Sequence, residues 1–327
     1  MEMRTMKKLV IFSGLAVILL GIILVVFGIP CLHHSTERNV THSFPQSIGS
    51  GGHYVLATSY SVVNGLYPTY KTVPPDIGDY EVERLKNLFG LSENAKETKI
   101  SNKIFDITDE SKEPAAALTL FPNSGTFVYN IPEKYYPYST DVQIDLPSDE
   151  ESHVIAIKYL SERNLLPDDV HFKEISIGSQ YGEYTPTSHT IYNLTKDVRF
   201  VKEIQGIAVY NAGITVTIGD HGDVVGVTNS LRDLEPDPFR MIKIITPEQA
   251  YQRLLSNNLV IAPLSEDYNE IIITDITLGY WMEIPTHIQK YVLPVYAFSC
   301  IGVREDNREQ IMRYVSAVEP SEMHYFS

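Results

Sequence analysis

Two cysteines in 327 residues are too few to staple this chain. Cys31 closes an apolar run and Cys300 lies near the C-terminus, so a hydrophobic core must hold the fold. Cys300 sits in PVYAFSCIG, which reads as a strand and predicts a buried thiol. Basic side chains are also short: 26 Lys and Arg stand against 41 Asp and Glu, a formal net charge of -15. A body this acidic lacks the basic footprint that phosphates require, which argues against nucleic acid as a partner and against broad adsorption to anionic lipid. Catalytic signatures are missing as well. No G-x-S-x-G elbow, H-E-x-x-H or P-loop occurs, and no cofactor motif. A triad assembled from distant residues is geometric and not local, so an enzyme with a dispersed site stays as an alternative.

Long apolar runs are absent except for one. Leu9 to Leu32, LVIFSGLAVILLGIILVVFGIPCL, carries no charge. At about 1.5 Å per residue, a helix of that length crosses a hydrocarbon core of about 30 Å. Arg4, Lys7 and Lys8 precede it, opposed only by Glu2. That bias predicts a cytoplasmic N-terminus and an extracytoplasmic C-terminal body, hence a single-pass protein of the cell membrane. A cleaved signal peptide, with an apolar core of about 7 to 15 residues, is one alternative. Lipidation at Cys31 is the other, although Pro30 stands where a small residue is expected.

Residues 33–75 have little period and read as a stalk, with linker composition at Ser47–Gly52 and one strand at YVLATSYSVV. Asn39 and Asn193 each open an N-x-T sequon. Beyond the stalk a pattern repeats loosely: a helix, then several strands. The first helix, near DYEVERLKNLFG, sets Val82, Leu85, Leu88 and Phe89 on one side. In the second, Ser148 and Glu151 have capping-box spacing, and Ala156, Ile157 and Leu160 form the stripe. In the third, Thr246 and Gln249 repeat the spacing, Pro247 suits the first helical position, and Ala250, Tyr251, Leu254 and Leu255 form the stripe. Strands that meet at short turns predict antiparallel sheets, each with a helix on one face. The predicted class is α+β: an N-terminal transmembrane helix followed by two or three helix-on-antiparallel-sheet modules. The divisions are 1–32 for the cytoplasmic tip and anchor, 33–75 for the stalk, 76–147 for a first module and 148–327 for the rest.

In ITVTIG, Ile214, Val216 and Ile218 alternate with Thr215 and Thr217, the mark of a half-buried strand. DVVGV resumes the apolar pattern. Between them Asp220, His221, Gly222 and Asp223 could be taken for acids and a base set up for metal or proton chemistry. A hairpin turn accounts for all four: Gly222 suits a left-handed position, and aspartate bonds nearby backbone amides. A cation would want more oxygen ligands than two acids supply.

The order Gly206, Ile207, Val209, Gly213, Ile214, Val216, Ile218, Gly222, Val224, Gly226, followed by LEP, ITPEQAYQRLL, ITLGYW and QKYVLPVYAF, resembles the PepSY-like modules of extracytoplasmic prokaryotic proteins. The arrangement is most similar to that of the Yyc (YycH and YycI) regulatory proteins. The resemblance spans about Ser148 to Val318. It rests on glycines and apolar residues, which specify a fold and bring no catalytic residue with them. It implies regulation through protein contact at the membrane, or restraint of a peptidase.

Other candidates for chemistry are weak. His33, His34, His42 and His53 are scattered, without the close pairs of a zinc site. His153 falls on or beside the apolar face of its helix. Asp149, Glu150 and Glu151 occupy a first helical turn, where the dipole favours negative charge. The aromatic content is more suggestive: 21 tyrosines against one tryptophan. Tyr135, Tyr136 and Tyr138 flank Pro137, and Tyr181, Tyr184 and Tyr192 fall in a polar stretch expected to be a loop. Such rings either form a binding surface or staple loops to the sheets. The favoured expectation is a non-catalytic binding or regulatory protein that acts on another envelope protein or an envelope polymer. A peptidase-restraining module is the second.

Overall fold

The computed structural model describes residues 53–60, 63, 65–135, 144–184, 189–261, 268–305 and 307–326. The chain opens with strands β1 (His53–Leu56) and β2 (Leu66–Lys71) and helix α1 (Asp79–Leu88). A meander follows: β3 (Lys96–Ser101), β4 (Ile104–Asp109), β5 (Ala116–Phe121) and β6 (Thr126–Asn130). Then come a single helical turn α2 (Pro132–Tyr135), the longer α3 (Asp149–Glu162), β7 (Val170–Ile177), β8 (Gln180–Tyr184) and β9 (His189–Asn193). β10 (Lys196–Ile204), β11 (Ile207–Ile218), β12 (Val224–Asn229) and β13 (Arg240–Lys243) lead to α4 (Pro247–Leu255). β14 (Val260–Ile261), β15 (Glu270–Trp281), β16 (Tyr291–Arg304) and β17 (Asn307–Ser316) complete the order.

Local chemistry sets the helices. Ser148 accepts from the Glu151 amide, and the Glu151 carboxylate accepts from the Ser148 amide, closing the capping box of α3. Thr246 and Gln249 do the same for α4, with Pro247 in its first turn. The inward faces are those of the apolar stripes except at Ile157, which is 37% exposed. Leu85 lies on α1 and Phe89 just after it, Ala156 and Leu160 lie on α3, and all four enter one core with Leu118, Phe127, Phe200 and Val216. Ala250, Tyr251 and Leu254 of α4 enter a second core with Ile271, Ile273, Tyr296 and Phe298. Each fully buried side chain of this size contributes about 1.5–3 kcal/mol.

The fold class expected from the sequence is corrected here. The helix-bearing segments do not form separate α+β modules with antiparallel sheets of their own. Fifteen strands join in one mixed sheet, and the protein is mostly β. β6 pairs antiparallel with β12, from Asn130 opposite Gly226 to Phe127 opposite Asn229. This seam runs β3 to β6 directly into β12, β11, β10 and β7, so α1 and α3 share one sheet face and one core. β11 then meets β15 in parallel at only two positions, Val209 with Tyr280 and Tyr210 with Trp281. A small third core, with Tyr70, Val209, Tyr280 and Val292, fills that junction. β1 adds in parallel to β15, and β2 bridges β13 and β16. The physical reason is the open edge: an unpaired strand exposes amides and carbonyls that a neighbouring sheet can satisfy.

The membrane placement is corrected too. Leu9–Leu32 and Cys31 lie outside the described residues, as do Asn39, His33, His34 and His42. Among the described residues no helix is long and apolar enough to cross a membrane. The longest of these helices, α3, has 14 residues. At about 1.5 Å per residue that is well short of a hydrocarbon core of about 30 Å. A single-pass anchor with a cytoplasmic N-terminus and an extracytoplasmic body is therefore not supported by the structure.

Candidate protein-interaction site

The stretch expected to be a polar tyrosine loop is instead a two-stranded arm. β7 and β10 pair with Ile177 opposite Lys196. The same register carries on past a kink, with Gln180 opposite Asn193, Tyr181 opposite Tyr192 and Tyr184 opposite His189. β8 and β9 are therefore the continuation of the edge hairpin beyond the main sheet, and among the described strands they pair only with each other. At the kink the Ser179 amide donates to Thr195 Oγ1 at 2.8 Å, and both residues are buried. Gly178 permits the crossing, since a Cβ there would lie 2.5 Å from Thr195 Oγ1.

The arm exposes apolar surface on both faces. Tyr181 and Tyr192 share one face, with ring centroids 6.3 Å apart and each ring's residue 40% exposed. Ile191, opposite Gly182, lies on the other face at 55% exposure. A lone two-stranded hairpin is marginally stable in water. Exposed tyrosines on such an arm supply contact area at low entropic loss when a partner covers them. Asn193 is exposed at the base of β9, where its side-chain oxygen accepts from Gln180 at 2.7 Å.

Tyr135 is placed differently. It is half-buried at the end of α2, and its hydroxyl donates to Thr217 Oγ1 at 2.7 Å. Thr217 in turn donates to the Asp197 carboxylate at 2.6 Å. The ring crosses Gly226, where a Cβ would come within 2.4 Å of the Tyr135 hydroxyl. The Ser179 hydroxyl at the arm's root donates to the Tyr135 carbonyl at 3.2 Å. Tyr135 thus fastens α2 to the sheet and to the base of the arm. Burial pushes the Asp197 carboxyl above the usual carboxylate range, against the opposing effects of the Thr217 hydrogen bond and the Arg199 charge. Tyr136 and Tyr138 lie outside the described residues, and nothing is described of the Tyr184 side chain.

Asp220, His221, Gly222 and Asp223 form the bend between β11 and β12, a single 3-10 turn. Gly222 has φ +82°, as a left-handed turn glycine requires, and His221 has φ +52°. The left-handed histidine was not foreseen, although histidine is enriched there. The turn docks on the segment before α3. The His221 amide donates to the Asp145 carbonyl at 2.8 Å, and the Asp145 amide to Asp220 Oδ1 at 2.7 Å. Lys134 pairs with Asp223 at 2.5 Å. The His221 ring lies 3.6 Å from Asp145 and 3.7 Å from Asp220. An open groove of about 580 Å3 runs here, lined by Asp145, Pro147, Glu150, Val154, Ile155 and His221. Two acids of the first turn beside it, Glu151 and Asp149, have structural partners. Glu151 caps α3, and the hydrogen bonds from Ser148 hold its carboxyl below the usual range. Asp149 pairs with Lys196 at 2.6 Å. Among the described residues no group of three or more His, Cys, Asp or Glu side chains is placed to hold a metal ion.

The remaining candidates are dispersed. His153 stacks on Phe172 with ring centroids 4.1 Å apart. His53 is half-buried in β1. Cys300 is a free, buried thiol in β16, pushed up to about 12 by burial. What sequence reading missed was the arm and its root. A signal was present: QYGEY and HTIYN flank a short turn-rich segment, and Gly178 and Gly226 leave room for side chains from elsewhere.

Residues 188–231 match the fungalysin/thermolysin propeptide motif. The match runs from the start of β9 through β10, β11 and the Asp220–Gly222 turn to just past β12. This motif is related to the PepSY-type modules, so that part of the expected resemblance stands, whereas nothing supports the YycH and YycI likeness. No curated protein matches the chain. One similar solved structure is an uncharacterized protein from Eubacterium rectale ATCC 33656, with 12% identity and a TM-score of 0.46. The alignment covers 82% of this chain and 89% of that one.

Proposed function

We propose that this chain is a non-catalytic protein-binding module that restrains a peptidase, and that the β8–β9 arm is its contact surface. One observation carries the reading: the propeptide motif includes β9, half of the arm, and β10, one of the two strands that root it. The physical arrangement supports it. The arm carries exposed Tyr181, Tyr192 and Ile191 on a scaffold fixed by Ser179, Thr195 and Tyr135. A fixed root lowers the ordering loss when a partner binds, and the exposed rings supply burial at the centre of the contact. The acidic body adds long-range steering toward a basic partner surface.

The test is a titration of the purified chain against thermolysin-type and fungalysin-type metallopeptidases, with a small peptide substrate as the readout. We expect a dose-dependent loss of activity for at least one of them. The Tyr181→Ala/Tyr192→Ala double variant should keep its fold and lose most of that effect, because both rings are surface residues of a hairpin outside the cores. If every peptidase keeps its full rate and simply digests the chain, the reading is wrong.

A further inference from the structure

β7 is an outer strand. Its inner edge pairs with β10, and no described strand pairs with its outer edge. An open edge offers a row of free amides and carbonyls to any passing strand, and proteins guard such edges with bulges and lysines. β7 has both. It bulges between Phe172 and Glu174, with Lys173 as the extra residue. Lys173 is exposed, and no carboxylate lies within ion-pair distance of it among the described residues. Its amine is held below the ordinary lysine range by burial and by the Arg199 charge, with Glu203 opposing.

The bulge changes which residues share a face. Phe172 stands opposite Phe200, Ile175 opposite Val198 and Ile177 opposite Lys196, all on the side of the sheet that carries α3. His171, Glu174 and Ser176 stand opposite Val201, Arg199 and Asp197, on the other side. Laid antiparallel against itself, with a two-fold axis normal to the sheet between Lys173 and Glu174, this strand is self-complementary. Lys173 meets the partner's Glu174, and Glu174 meets the partner's Lys173. Phe172 meets the partner's Ile175, and His171 meets the partner's Ser176. Each pair joins residues of one face, cation to anion and apolar to apolar. A regular strand of the same sequence could not do this, because Phe172 and Ile175 would point to opposite faces.

We propose that β7 is the dimerisation edge of this protein: a second copy adds antiparallel in this register, and the sheet continues across the two-fold axis. The bulge and the lysine turn away a generic strand, and a second copy sets Glu174 directly opposite Lys173, which Glu203 of its own chain reaches only at long range. The addition also covers Phe172 and Ile177, which are 43% and 40% exposed. The α3 flank beside Phe172, with His153 stacked on the ring and Ile157 one turn further on, adds apolar surface on the same face. A symmetric pair of this kind is closed and does not propagate.

The test uses the full chain with His171→Cys and Ser176→Cys together, oxidised by copper phenanthroline and run on a non-reducing gel. In the proposed register the two thiols face each other twice across the axis, and a crosslinked dimer forms. His171→Cys alone should not crosslink above the parent chain, since its two copies sit roughly 17 Å apart along the strands. Adding Lys173→Glu to the double-cysteine chain places like charges opposite each other twice, and should lower the crosslinked fraction about fivefold. Glu174 also pairs with Arg199 of its own strand pair at 3.1 Å, so the exchange Lys173→Glu with Glu174→Lys, which keeps one acid in the bulge opposite Arg199 and restores the charge match across the axis, should restore the yield. The proposal is overturned if the double variant crosslinks no better than either single one, or if Lys173→Glu leaves the yield unchanged. Sedimentation equilibrium of the parent chain, monomeric at every accessible concentration, would overturn it equally.

Discussion

Arg232 offers the sharpest test of how the cores are joined. It follows β12, is 4% exposed, and reaches four backbone carbonyls. These belong to Asn123 at 3.4 Å, Glu283 at 3.1 Å, Ile284 at 2.9 Å and His287 at 2.9 Å. Asn123 lies in the turn between β5 and β6, and the other three lie between β15 and β16. One side chain therefore ties the β3–β12 half of the sheet to the β15–β17 half. Burial draws its guanidinium down to about 10, so it remains a cation at neutral pH. Arg232→Met keeps much of the volume and removes every donor. Ile284 keeps the His287 amide as a donor at 3.0 Å, and each of the other carbonyls left without one costs about 1–3 kcal/mol. Part of this is offset because a buried cation no longer has to be desolvated. The net expectation is a loss of about 3–5 kcal/mol, a large share of a typical total of 5–15 kcal/mol. Arg232→Lys should also lose stability, because an ammonium cannot fork to four acceptors. Equilibrium urea unfolding measures this, followed by far-ultraviolet circular dichroism and by the fluorescence of Trp281, the only tryptophan. A loss under about 1 kcal/mol for Arg232→Met would refute the claim that these carbonyls depend on it.

Two further outcomes are expected. Asp197 has a folded pKa above its ordinary value of 3.8, so its contribution to stability is fully present below that value. It is lost as pH rises through the folded pKa, by about 1.4 kcal/mol per pH unit at most. Asp197→Asn keeps an acceptor for Thr217 and removes the titration, so its stability relative to the parent should rise as pH climbs from 3.8; parallel unfolding curves across that range would sink the idea. Gly213→Ala should destabilise by about 1–3 kcal/mol, measured by thermal unfolding. A Cβ there would lie 2.1 Å from the Phe200 carbonyl oxygen, a backbone atom that cannot move without breaking the β10–β11 ladder.

Several elements were legible because their causes are local. The capping boxes at Ser148 and Thr246 depend on residues three apart, and both formed. The alternation of Ile214, Val216 and Ile218 named a buried face, and all three are in the core. Gly222 was assigned a left-handed position and has one. The tyrosines were less legible. A hydroxyl can staple or stand exposed, and the choice depends on what lies opposite. Tyr135 found Gly226 and Thr217 beneath it, whereas Tyr181 lies against Tyr192 on the exposed arm.

Legible in the sequence were the starts of α3 and α4, the apolar faces of strands such as β11, and the dependence of a -15 chain with two cysteines on packed cores. These follow from side-chain chemistry over a few residues. Only the tertiary structure decided which strand edges meet. It set β6 against β12 and joined β11 to β15 over two residues. Among the described residues it also left β7 without an outer neighbour and ran β8 and β9 beyond the sheet. Edge pairing is made by backbone groups that every residue carries alike, so no side-chain pattern announces it. The sites proposed here, the arm and the β7 edge, lie where that pairing stops.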